Sequence, residues 1–237
     1  MATDLVFRAD AYATTTAATV LALDGKGIIL DRTVFYATSG GQPGDSGRLT
    51  RADGTVLTLT TAVFCDPAKT VIAHVPAPDS PLPQPGETVT VEIDWQPRYN
   101  RMRMHTALHL LSVVLPYPVT GGAVNDGDSR LDFDIPDAGL DRDEITVKVN
   151  GLIEKDAEVT DRLISEAELD ANPGLVKTMS VQPPRGAGTI RLVEIAGLDL
   201  QPCGGTHVRH TGEIGRIVVS AIEKKGKQNR RVRIAFG

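Results

Sequence analysis

The sequence predicts a mixed α+β protein in two modules, an antiparallel β-barrel over residues 1–94 followed by an α+β domain over residues 95–237. In the first module, short β-branched runs alternate with turn residues. The 23 glycines and 15 prolines outnumber the aromatic residues, which make up 4% of the chain, and this favours many turns over a helical bundle. In the second module, apolar residues recur at helical spacing after Pro97.

Two Asp-Gly pairs, Asp24-Gly25 and Asp53-Gly54, mark hairpins in the first module, which is typical of a small barrel or a sandwich. Five prolines between positions 76 and 85 predict an extended connection, because proline cannot donate to a sheet ladder. No long helix is expected in this module. Its strands are expected at residues 18–23, 27–30, 55–64 and 87–95.

The second module is expected to begin with a helix over residues 98–115, since Pro97 suits a first helical turn and Pro116 and Pro118 would end the helix. Its apolar side chains, at Met104, Leu108, Leu111 and Leu115, predict one buried stripe. A second helix is expected over residues 141–159, although Asn150-Gly151 weakens that pattern. The expected strands are residues 130–135, 190–195, 214–223 and 231–236.

Charge and composition exclude several classes of protein. The formal charge of −5 provides no global positive surface for a polyanion, so any contact with nucleic acid must be local. Cys65 and Cys203 do not form a disulfide framework, and residues 1–10 lack the pattern of a secretion signal. The most apolar stretch, residues 108–115, is shorter than the roughly 20 residues that cross a bilayer. We therefore expect a soluble, cytoplasmic protein with no membrane contact, and we favour a monomer.

Two separated motifs together suggest a metal site. His105 and His109 lie four residues apart on the predicted helix, so their imidazoles project about one turn apart from the same face. Cys203 and His207 flank a Gly-Gly pair, which allows a tight loop that turns a thiolate and an imidazole toward one point. Three nitrogens and one sulfur suit tetrahedral zinc, and we expect one Zn²⁺ per chain.

Each motif has a simpler interpretation when taken alone. A histidine pair more often lies on the surface or forms hydrogen bonds in the core, and a free cysteine is usually a small buried apolar residue. However, four of the seven Cys and His residues fall into these two motifs, which favours the metal site. Of the other three, Cys65 is expected in the core, His74 is expected to have no special role, and His210 is expected at most to contact a metal ligand.

The motifs resemble those of a known family. The segments MHTALHLL (104–111), PCGGTHV (202–208) and TGEIG (211–215) closely resemble the editing domain of alanyl-tRNA synthetase. They are most similar to the free-standing AlaX proteins, and the glycine-rich segment GGQPGDSG (40–47) is similar to the medium-sized AlaX type. The resemblance continues to RRVRI (230–234), so it covers nearly the whole chain.

The resemblance implies that this protein hydrolyses the ester of mischarged Ser-tRNA(Ala), with Gly-tRNA(Ala) as a second possible substrate. Zinc would be held by His105, His109, Cys203 and His207, beside a pocket for the aminoacylated 3′ end of tRNA(Ala). Thr106 would hydrogen-bond the seryl hydroxyl, and Thr106, Cys203 and His207 are the expected catalytic residues. Zinc could activate water or only organise the loop, because a closed four-ligand site has no open position. Asp199 and Gln201 are expected to support the ligands or to be ordinary loop residues.

Further substrate contacts are expected outside the metal motifs. Where the synthetase domain often has a glutamine, this chain has Thr120 followed by Gly121-Gly122, so the preference between serine and glycine stays open. Gly40 and Gly41 are expected either to contact substrate at the junction with the editing module or only to form a tight turn. Two basic clusters, from which we single out Arg101, Lys225 and Arg230, would contact acceptor-stem phosphates unless they are merely solvated faces.

Two other functions remain open from the sequence. One is a zinc-stabilised RNA-binding module without catalysis, and the other is an unrelated zinc hydrolase with the same four ligands. A complete synthetase is not expected, because the motifs already occupy the chain and leave no room for an ATP-dependent activation domain.

Overall fold

A computed structural model describes residues 2–135, 139–177, 179 and 188–237 of the chain. The chain forms two compact units, Met1–Tyr99 and Asn100–Gly237. Helices and antiparallel sheets occur together, so the expected mixed α+β class is confirmed. Among the described residues, none of the helices is long and apolar enough to cross a membrane.

The first unit contains a closed barrel of six antiparallel strands. Its elements are β1 (Asp4–Leu5), α1 (Val6–Ala9), β2 (Thr15–Asp24), β3 (Gly27–Leu30), β4 (Arg32–Thr33), β5 (Gly47–Arg51), β6 (Val56–Phe64), β7 (Ile72–Pro76) and β8 (Thr88–Ile93). The barrel order is β2-β3-β7-β6-β5-β8, and β1 pairs with β4 in a separate parallel ladder. The expected barrel is therefore confirmed, and the sandwich is excluded.

Both predicted hairpins are present, and each aspartate stabilises its own turn. Oδ1 of Asp24 accepts hydrogen bonds from the amides of Lys26 at 2.7 Å and Gly27 at 3.2 Å. Oδ1 of Asp53 accepts from the amide of Thr55 at 2.8 Å. Each aspartate thus satisfies backbone donors of its own turn, which is why Asp favours such positions.

The barrel core is built by the period-two alternation of its strands. In β5 and β8 buried residues alternate with more exposed ones, so that Leu49 and Val91 are fully buried. Phe35 fills the same core from the segment between β4 and β5. Burying one such side chain stabilises the fold by about 1.5–3 kcal/mol, so the barrel depends on many of these contacts.

In the described part of the second unit there are two antiparallel sheets and a helix of 20 residues. The boundary between the units falls within helix α2 (Trp95–Val114). The elements that follow are β9 (Val119–Ala123), β10 (Asp128–Asp134), α3 (Arg142–Ile153), β11 (Val159–Ser165), α4 (Glu166–Ala171), β12 (Thr189–Ile195), β13 (Asp199–Pro202), β14 (Ile217–Lys224) and β15 (Asn229–Phe236). The sheet orders are β14-β15-β10-β9 and β11-β12-β13. Short 3-10 turns lie at Pro173–Leu175 and Thr211–Ile214.

Helix α2 forms where it was predicted, but it is more deeply buried than expected. Pro97 lies in its first turn, and the helix ends at Val114, two residues before Pro116. The expected apolar stripe is buried, since Met104, Leu108, Leu111 and Leu115 are all buried. Three further apolar residues of the helix, Met102, Ala107 and Leu110, are buried as well.

Helix α3 ends at Ile153 rather than at residue 159, and β11 begins at Val159. Asp141 caps the helix by accepting from the amides of residues 143 and 144 at 2.8 and 2.9 Å. Asn150-Gly151 does not break it, because the Asn150 side chain donates to the Ile217 carbonyl at 2.7 Å and accepts from the Ile217 amide at 3.0 Å. Strand β14 starts at Ile217 rather than at residue 214.

Candidate metal centre

The structure brings both predicted metal motifs to one point. The ligating atoms of His105, His109, Cys203 and His207 all lie within 4.8 Å of one another. Sγ of Cys203 is 3.6 Å from Nε2 of His105 and 3.3 Å from Nε2 of His207. The rings of His109 and His207 are 4.6 Å apart between centroids. The four residues therefore form a single cluster.

Two elements supply this cluster. Helix α2 places His105 and His109 one turn apart, with ring centroids separated by 5.3 Å. Strand β13 ends at Pro202, and the loop that follows carries Cys203 and His207. Within this loop the amide of Gly205 lies 3.4 Å from Sγ of Cys203, so the turn directs a backbone donor at the sulfur.

The spacing of these atoms fits a tetrahedral ion. A sulfur about 2.3 Å and a nitrogen about 2.1 Å from zinc would lie roughly 3.6 Å apart at the tetrahedral angle. The two distances from the Cys203 sulfur, 3.6 Å and 3.3 Å, are close to that value. The cluster can therefore hold a metal ion, and its mixed sulfur and nitrogen donors are consistent with zinc.

Two of the four residues are buried and two are partly exposed. His109 and His207 are buried, at 6% exposure each, whereas His105 and Cys203 are half-buried. Burial raises the pKa of the Cys203 thiol, but the facing imidazoles of His105 and His207 outweigh it and hold that pKa well below its ordinary value. The sulfur is therefore available as a thiolate, the form that binds metal.

The two buried imidazoles have opposite pKa shifts. Burial, reinforced by the nearby His105, lowers the pKa of His207 to about 3. Burial also opposes the charge on His109, but hydrogen bonds with Asp199 and Cys203 outweigh it and raise the pKa of His109 to about 9. A metal ion must therefore displace a proton from His109, whereas His207 is already neutral.

A carboxylate network supports His109 from behind. Nδ1 of His109 donates to Oδ2 of Asp199 at 2.9 Å, and Nε2 of Gln201 donates to the same oxygen at 2.7 Å. Lys177 donates to the other oxygen at 2.5 Å. Burial raises the pKa of Asp199, but His109 and Lys177 lower it to about 2. The expected support from Asp199 and Gln201 is present, because Nδ1 is engaged and Nε2 of His109 is left for a metal.

Thr106 supports the second buried imidazole. Its side chain is fully buried, and Oγ1 donates to the carbonyl of Met102 at 2.9 Å. Because that hydroxyl hydrogen is used, Oγ1 accepts from Nδ1 of His207 at 3.1 Å. This fixes Nε2 of His207 toward Cys203. The amide of Val208 also donates to Oγ1 at 3.4 Å, so the hydroxyl that the resemblance assigns to a seryl group is already engaged by three groups of the protein.

Thr120 lies on β9, next to the Gly121-Gly122 pair. Its hydroxyl donates to the Asp132 carbonyl at 3.2 Å and accepts from Nδ2 of Asn229 at 2.7 Å. Thr120 and Gly121 are half-buried, and Gly122 is exposed. The hydroxyl is therefore held in a defined direction by β10 and β15.

Gly40 and Gly41 form an exposed turn in the first unit. Their φ angles are 57° and 82°, and backbone bonds of 3.1 and 2.9 Å join Ser39 and Gln42 across them. Two successive positive φ angles suit a two-residue hairpin loop and favour glycine. The expectation of a tight turn is confirmed, and contact with substrate stays a prediction.

The glycine-rich segment also contributes Asp45 to a buried ion pair of the first unit. Asp45 and Arg98 form a buried ion pair, with Nε of Arg98 2.9 Å from Oδ2 of Asp45. The same carboxylate oxygen accepts from the amide of Tyr36 at 2.7 Å. Arg98 is fully buried, so it is not available to phosphates.

The basic cluster before the histidine pair is mostly used within the protein. Arg103 donates to the Ile214 carbonyl at 2.9 and 2.7 Å and stacks over the Phe236 ring at 4.0 Å. Arg101 is half-buried on α2, one turn before His105. Arg98, Arg101 and Arg103 form this cluster, and the phosphate contact expected of Arg101 stays a prediction.

The basic hairpin of β14 and β15 is partly neutralised. Asp132 binds Arg231 at 2.8 and 3.0 Å. Glu223 binds Arg233 at 2.6 Å and Lys225 at 3.1 Å. The guanidinium of the predicted phosphate contact Arg230 lies 3.3 Å from the Gly226 carbonyl, and Lys224 and Lys227 are exposed. Positive charge therefore concentrates at the tip of the hairpin.

Two of the three leftover Cys and His residues differ from expectation. Cys65 is half-buried rather than in the core. His74 is a fully buried hydrogen-bonding residue, with Nε2 2.7 Å from the Thr33 hydroxyl and Nδ1 3.0 Å from the Ile28 carbonyl. His210 is exposed, and its Nδ1 lies 3.4 Å from the Asp156 carbonyl.

Comparison with known proteins relates both units to tRNA enzymes. Residues 190–233 match the family model of the threonyl and alanyl tRNA synthetase second additional domain, and residues 7–97 match that of class II (A) tRNA synthetases. The chain is 34% identical to the alanyl-tRNA editing protein AlaX-M of Methanosarcina mazei, over 97% of this chain and 95% of the relative. It is 32% identical to AlaX-M of Saccharolobus solfataricus, over 97% of both. Alanine--tRNA ligase of Pyrobaculum calidifontis is 36% identical over 92% of this chain but only 25% of its own length.

Proposed function

The chain belongs to the AlaX family of alanyl-tRNA editing proteins, and from that premise we propose that it is a hydrolase that removes wrongly attached serine from tRNA(Ala). Gly-tRNA(Ala) is the second proposed substrate. Water would attack the ester carbonyl carbon, the bond to the terminal ribose oxygen would break, and that oxygen would take a proton from the water. The products are the free amino acid and tRNA(Ala) with its terminal hydroxyl restored.

One observation carries this proposal: a thiolate and three imidazoles of the chain lie within 4.8 Å of one another, and two of the four residues, His105 and Cys203, are partly exposed. We propose that His105, His109, Cys203 and His207 bind one Zn²⁺ per chain. When bound, zinc supplies a Lewis acid or holds the loop in shape. The half-buried His105 and Cys203 then face the side from which substrate enters.

Residues next to the proposed ligands would orient the ligand imidazoles. Asp199 accepts from Nδ1 of His109, and Thr106 accepts from Nδ1 of His207, so both rings keep Nε2 for the centre. We therefore propose that the main role of the Thr106 hydroxyl is to orient His207, and that contact with the seryl hydroxyl is not its only role. Cys203 and His207 remain the proposed catalytic residues together with Thr106.

Selection of serine over alanine needs a polar partner for the extra hydroxyl. A site built around such a partner rejects the substrate that lacks the hydroxyl, whereas a site shaped only for alanine cannot exclude serine strongly. We propose that Thr120 and the backbone of Gly121-Gly122 supply this contact, in the segment where the synthetase domain often has glutamine. Because the Thr120 hydroxyl already donates to the Asp132 carbonyl and accepts from Asn229 at 2.7 Å, it would accept a hydrogen bond from the seryl hydroxyl rather than donate one.

Local positive charge would bind the tRNA. The exposed Lys224 and Lys227 lie at the tip of the β14–β15 hairpin, next to Lys225 and Arg230. We propose that this tip and Arg101 contact phosphates of the acceptor end, and that the exposed turn of Gly40 and Gly41 contacts substrate through its backbone. Such contacts release counterions, so binding would weaken as salt rises.

Deacylation of three esters tests this function. Wild-type protein should hydrolyse Ser-tRNA(Ala) and Gly-tRNA(Ala) and leave Ala-tRNA(Ala) intact, and Cys203→Ala should lose both activities. Cys65→Ala is the matched control and should keep them, because Cys65 belongs to the other unit. Elemental analysis should give one zinc per wild-type chain and none in Cys203→Ala.

The same experiment separates the competing functions. A closed four-ligand site has no open position, which favours a zinc-stabilised RNA-binding module. That module would bind tRNA(Ala) but leave the seryl and glycyl esters intact. An unrelated zinc hydrolase would cleave a small ester or peptide, yet not the aminoacyl-tRNA. Either result would overturn the proposed editing reaction.

A further inference from the structure

Arg191 forms hydrogen bonds with the loop that carries two of the proposed metal ligands, Cys203 and His207. Its guanidinium Nη1 donates to the carbonyl of Cys203 at 3.0 Å and to that of Gly205 at 3.0 Å. The backbone carbonyl of Arg191 accepts from the Cys203 amide at 3.1 Å. Both the amide and the carbonyl of Cys203 are therefore bonded to the same residue.

The guanidinium is itself anchored. Arg191 lies on β12, and its Nη2 is 3.1 Å from Oδ1 of Asp161 on the neighbouring strand β11. β11 and β12 pair with Leu163 opposite Arg191, so Asp161 lies two residues along, on the same face. The Arg191 side chain is 13% exposed and that of Asp161 is 39% exposed. The arginine thus joins a rigid sheet to the loop.

This loop needs such an anchor. Gly204 and Gly205 have the widest conformational freedom of any residue type, and ordering them costs more entropy than ordering other residues. Beyond Pro202 the ladder of β12 and β13 ends. A planar guanidinium with several fixed donors can hold two carbonyls at once, which a single ammonium cannot do in the same geometry.

We propose that Arg191 is a positioning residue for the metal centre, which fixes the direction of the Cys203 sulfur by holding the carbonyls on both sides of Gly204. This inference rests on the proposed metal site. Arg191 does not touch the ligating atoms, so it acts through the backbone of Cys203 and Gly205. Asp161 sets the orientation of the guanidinium and contributes less than Arg191 does.

Metal binding tests this role without relying on activity. Zinc affinity of full-length protein is measured by competition with a chromophoric chelator, and Co²⁺ absorption reports the geometry at the sulfur. Arg191→Ala should weaken zinc binding by about 10- to 100-fold, the usual effect of losing an outer partner of a ligand. Its cobalt-loaded form should show altered sulfur-to-cobalt and ligand-field bands. Arg191→Lys should recover part of the affinity, and Asp161→Asn should have a smaller effect.

Arg162→Ala is the matched control. Arg162 is on β11, and it pairs with Glu168 at 3.1 Å through half-exposed side chains rather than with the loop. Its removal changes the charge equally and should leave zinc affinity and the cobalt spectrum unchanged. Thermal unfolding of the metal-free variants shows whether each one folds.

Three results would overturn the inference. Wild-type zinc affinity and an unchanged cobalt spectrum in Arg191→Ala would show that the loop needs no anchor. Loss of folding in metal-free Arg191→Ala, with a wild-type cobalt spectrum in Arg191→Lys and Asp161→Asn, would show a purely structural role. Failure of the wild-type protein to bind zinc would overturn this inference together with the proposed metal site, whereas the first two results leave the site intact.

Discussion

The carboxylate of Asp199 accepts a hydrogen bond from Nδ1 of His109 at 2.9 Å. The Asp199 side chain is fully buried. On the other side of the cluster, His207 has the hydroxyl of Thr106 in the equivalent position, at 3.1 Å. A charged partner stabilises an imidazolium, and a hydroxyl does not. Burial lowers the pKa of both rings, but hydrogen bonds with Asp199 and Cys203 outweigh it at His109 and raise that pKa to about 9, whereas burial and the nearby His105 lower the pKa of His207 to about 3.

Removing the Asp199 side chain should weaken metal binding. Asp199→Ala takes away the group that orients His109, and we expect zinc affinity to fall by about 10- to 100-fold. Asp199→Asn keeps an acceptor for Nδ1 and should lose less. Chelator competition measures both. Asp126→Ala, an exposed position between β9 and β10, is the control, and equal affinities for all four proteins would contradict the assigned role.

The hydroxyl of Thr106 should affect the metal centre before it affects substrate choice. Thr106→Val leaves the Nδ1 hydrogen of His207 buried without an acceptor, and we expect a loss of about 1–3 kcal/mol in unfolding free energy together with weaker zinc binding. Thr106→Ser keeps the hydroxyl and should retain zinc affinity. A Thr106→Val protein with normal zinc affinity that hydrolyses Ala-tRNA(Ala) would instead show direct contact with the seryl group.

The elements that sequence predicts well are those in which local chemistry and tertiary packing agree. Both Asp-Gly hairpins form because the aspartate bonds amides within its own turn, as for Asp24 and Lys26. The metal cluster was predictable for a related reason: His105 and His109 are fixed by helical spacing, and Cys203 and His207 by a short loop. The convergence of the two motifs follows from their mixed nitrogen and sulfur donors and from the concentration of Cys and His in them, and the resemblance to a known family supports it.

The elements that sequence misses are those whose pattern is set by distant contacts. Strand β11 has five exposed or half-exposed residues before the buried Ile164, because it lies at the edge of its sheet and shows no alternation. Asn150-Gly151 weakens the helix pattern in the sequence yet lies within α3, because the residue that holds Asn150, Ile217, is 67 residues away. Lys177 reaches Asp199 from outside any motif, so no sequence signal pointed to it.

Gly47 should tolerate no side chain. A Cβ at this position would lie 2.8 Å from the Cα of Ile93 and would overlap the Glu92 carbonyl, and backbone atoms cannot move aside cheaply. We expect Gly47→Ala to lower the unfolding free energy by about 3 kcal/mol or more. Gly25→Ala is the control, because nothing lies within 4 Å of its Cβ position, and its change should stay within about 0.5 kcal/mol. Equal denaturation midpoints for the two variants would contradict this close packing.

His74 should make the first unit sensitive to acid. Burial lowers the pKa of His74 from 6.5 to about 4. The unfolded chain therefore takes up this proton at a higher pH than the folded chain does. The stability that the neutral ring contributes is fully present above about pH 6.5 and is lost as the pH falls toward about 4, by about 3 kcal/mol in total. Denaturation of metal-free protein across this range should show a flatter pH dependence for His74→Gln, and parallel curves would contradict the assignment.

The tip of the β14–β15 hairpin should give tRNA binding its salt dependence. Lys224 and Lys227 are exposed there, whereas Arg231 and Arg233 are bound to carboxylates of the protein. If both lysines contact phosphates, Lys224→Gln with Lys227→Gln should reduce the slope of log affinity against log salt by roughly one per lost contact, between about 50 and 200 mM salt. The control is Arg32→Gln with Arg48→Gln, which changes the charge by the same amount. These arginines lie in exposed ion pairs of the first unit, so the control should keep the wild-type slope. If the control changes the slope and the lysine variant does not, the phosphate contacts belong to the first unit instead.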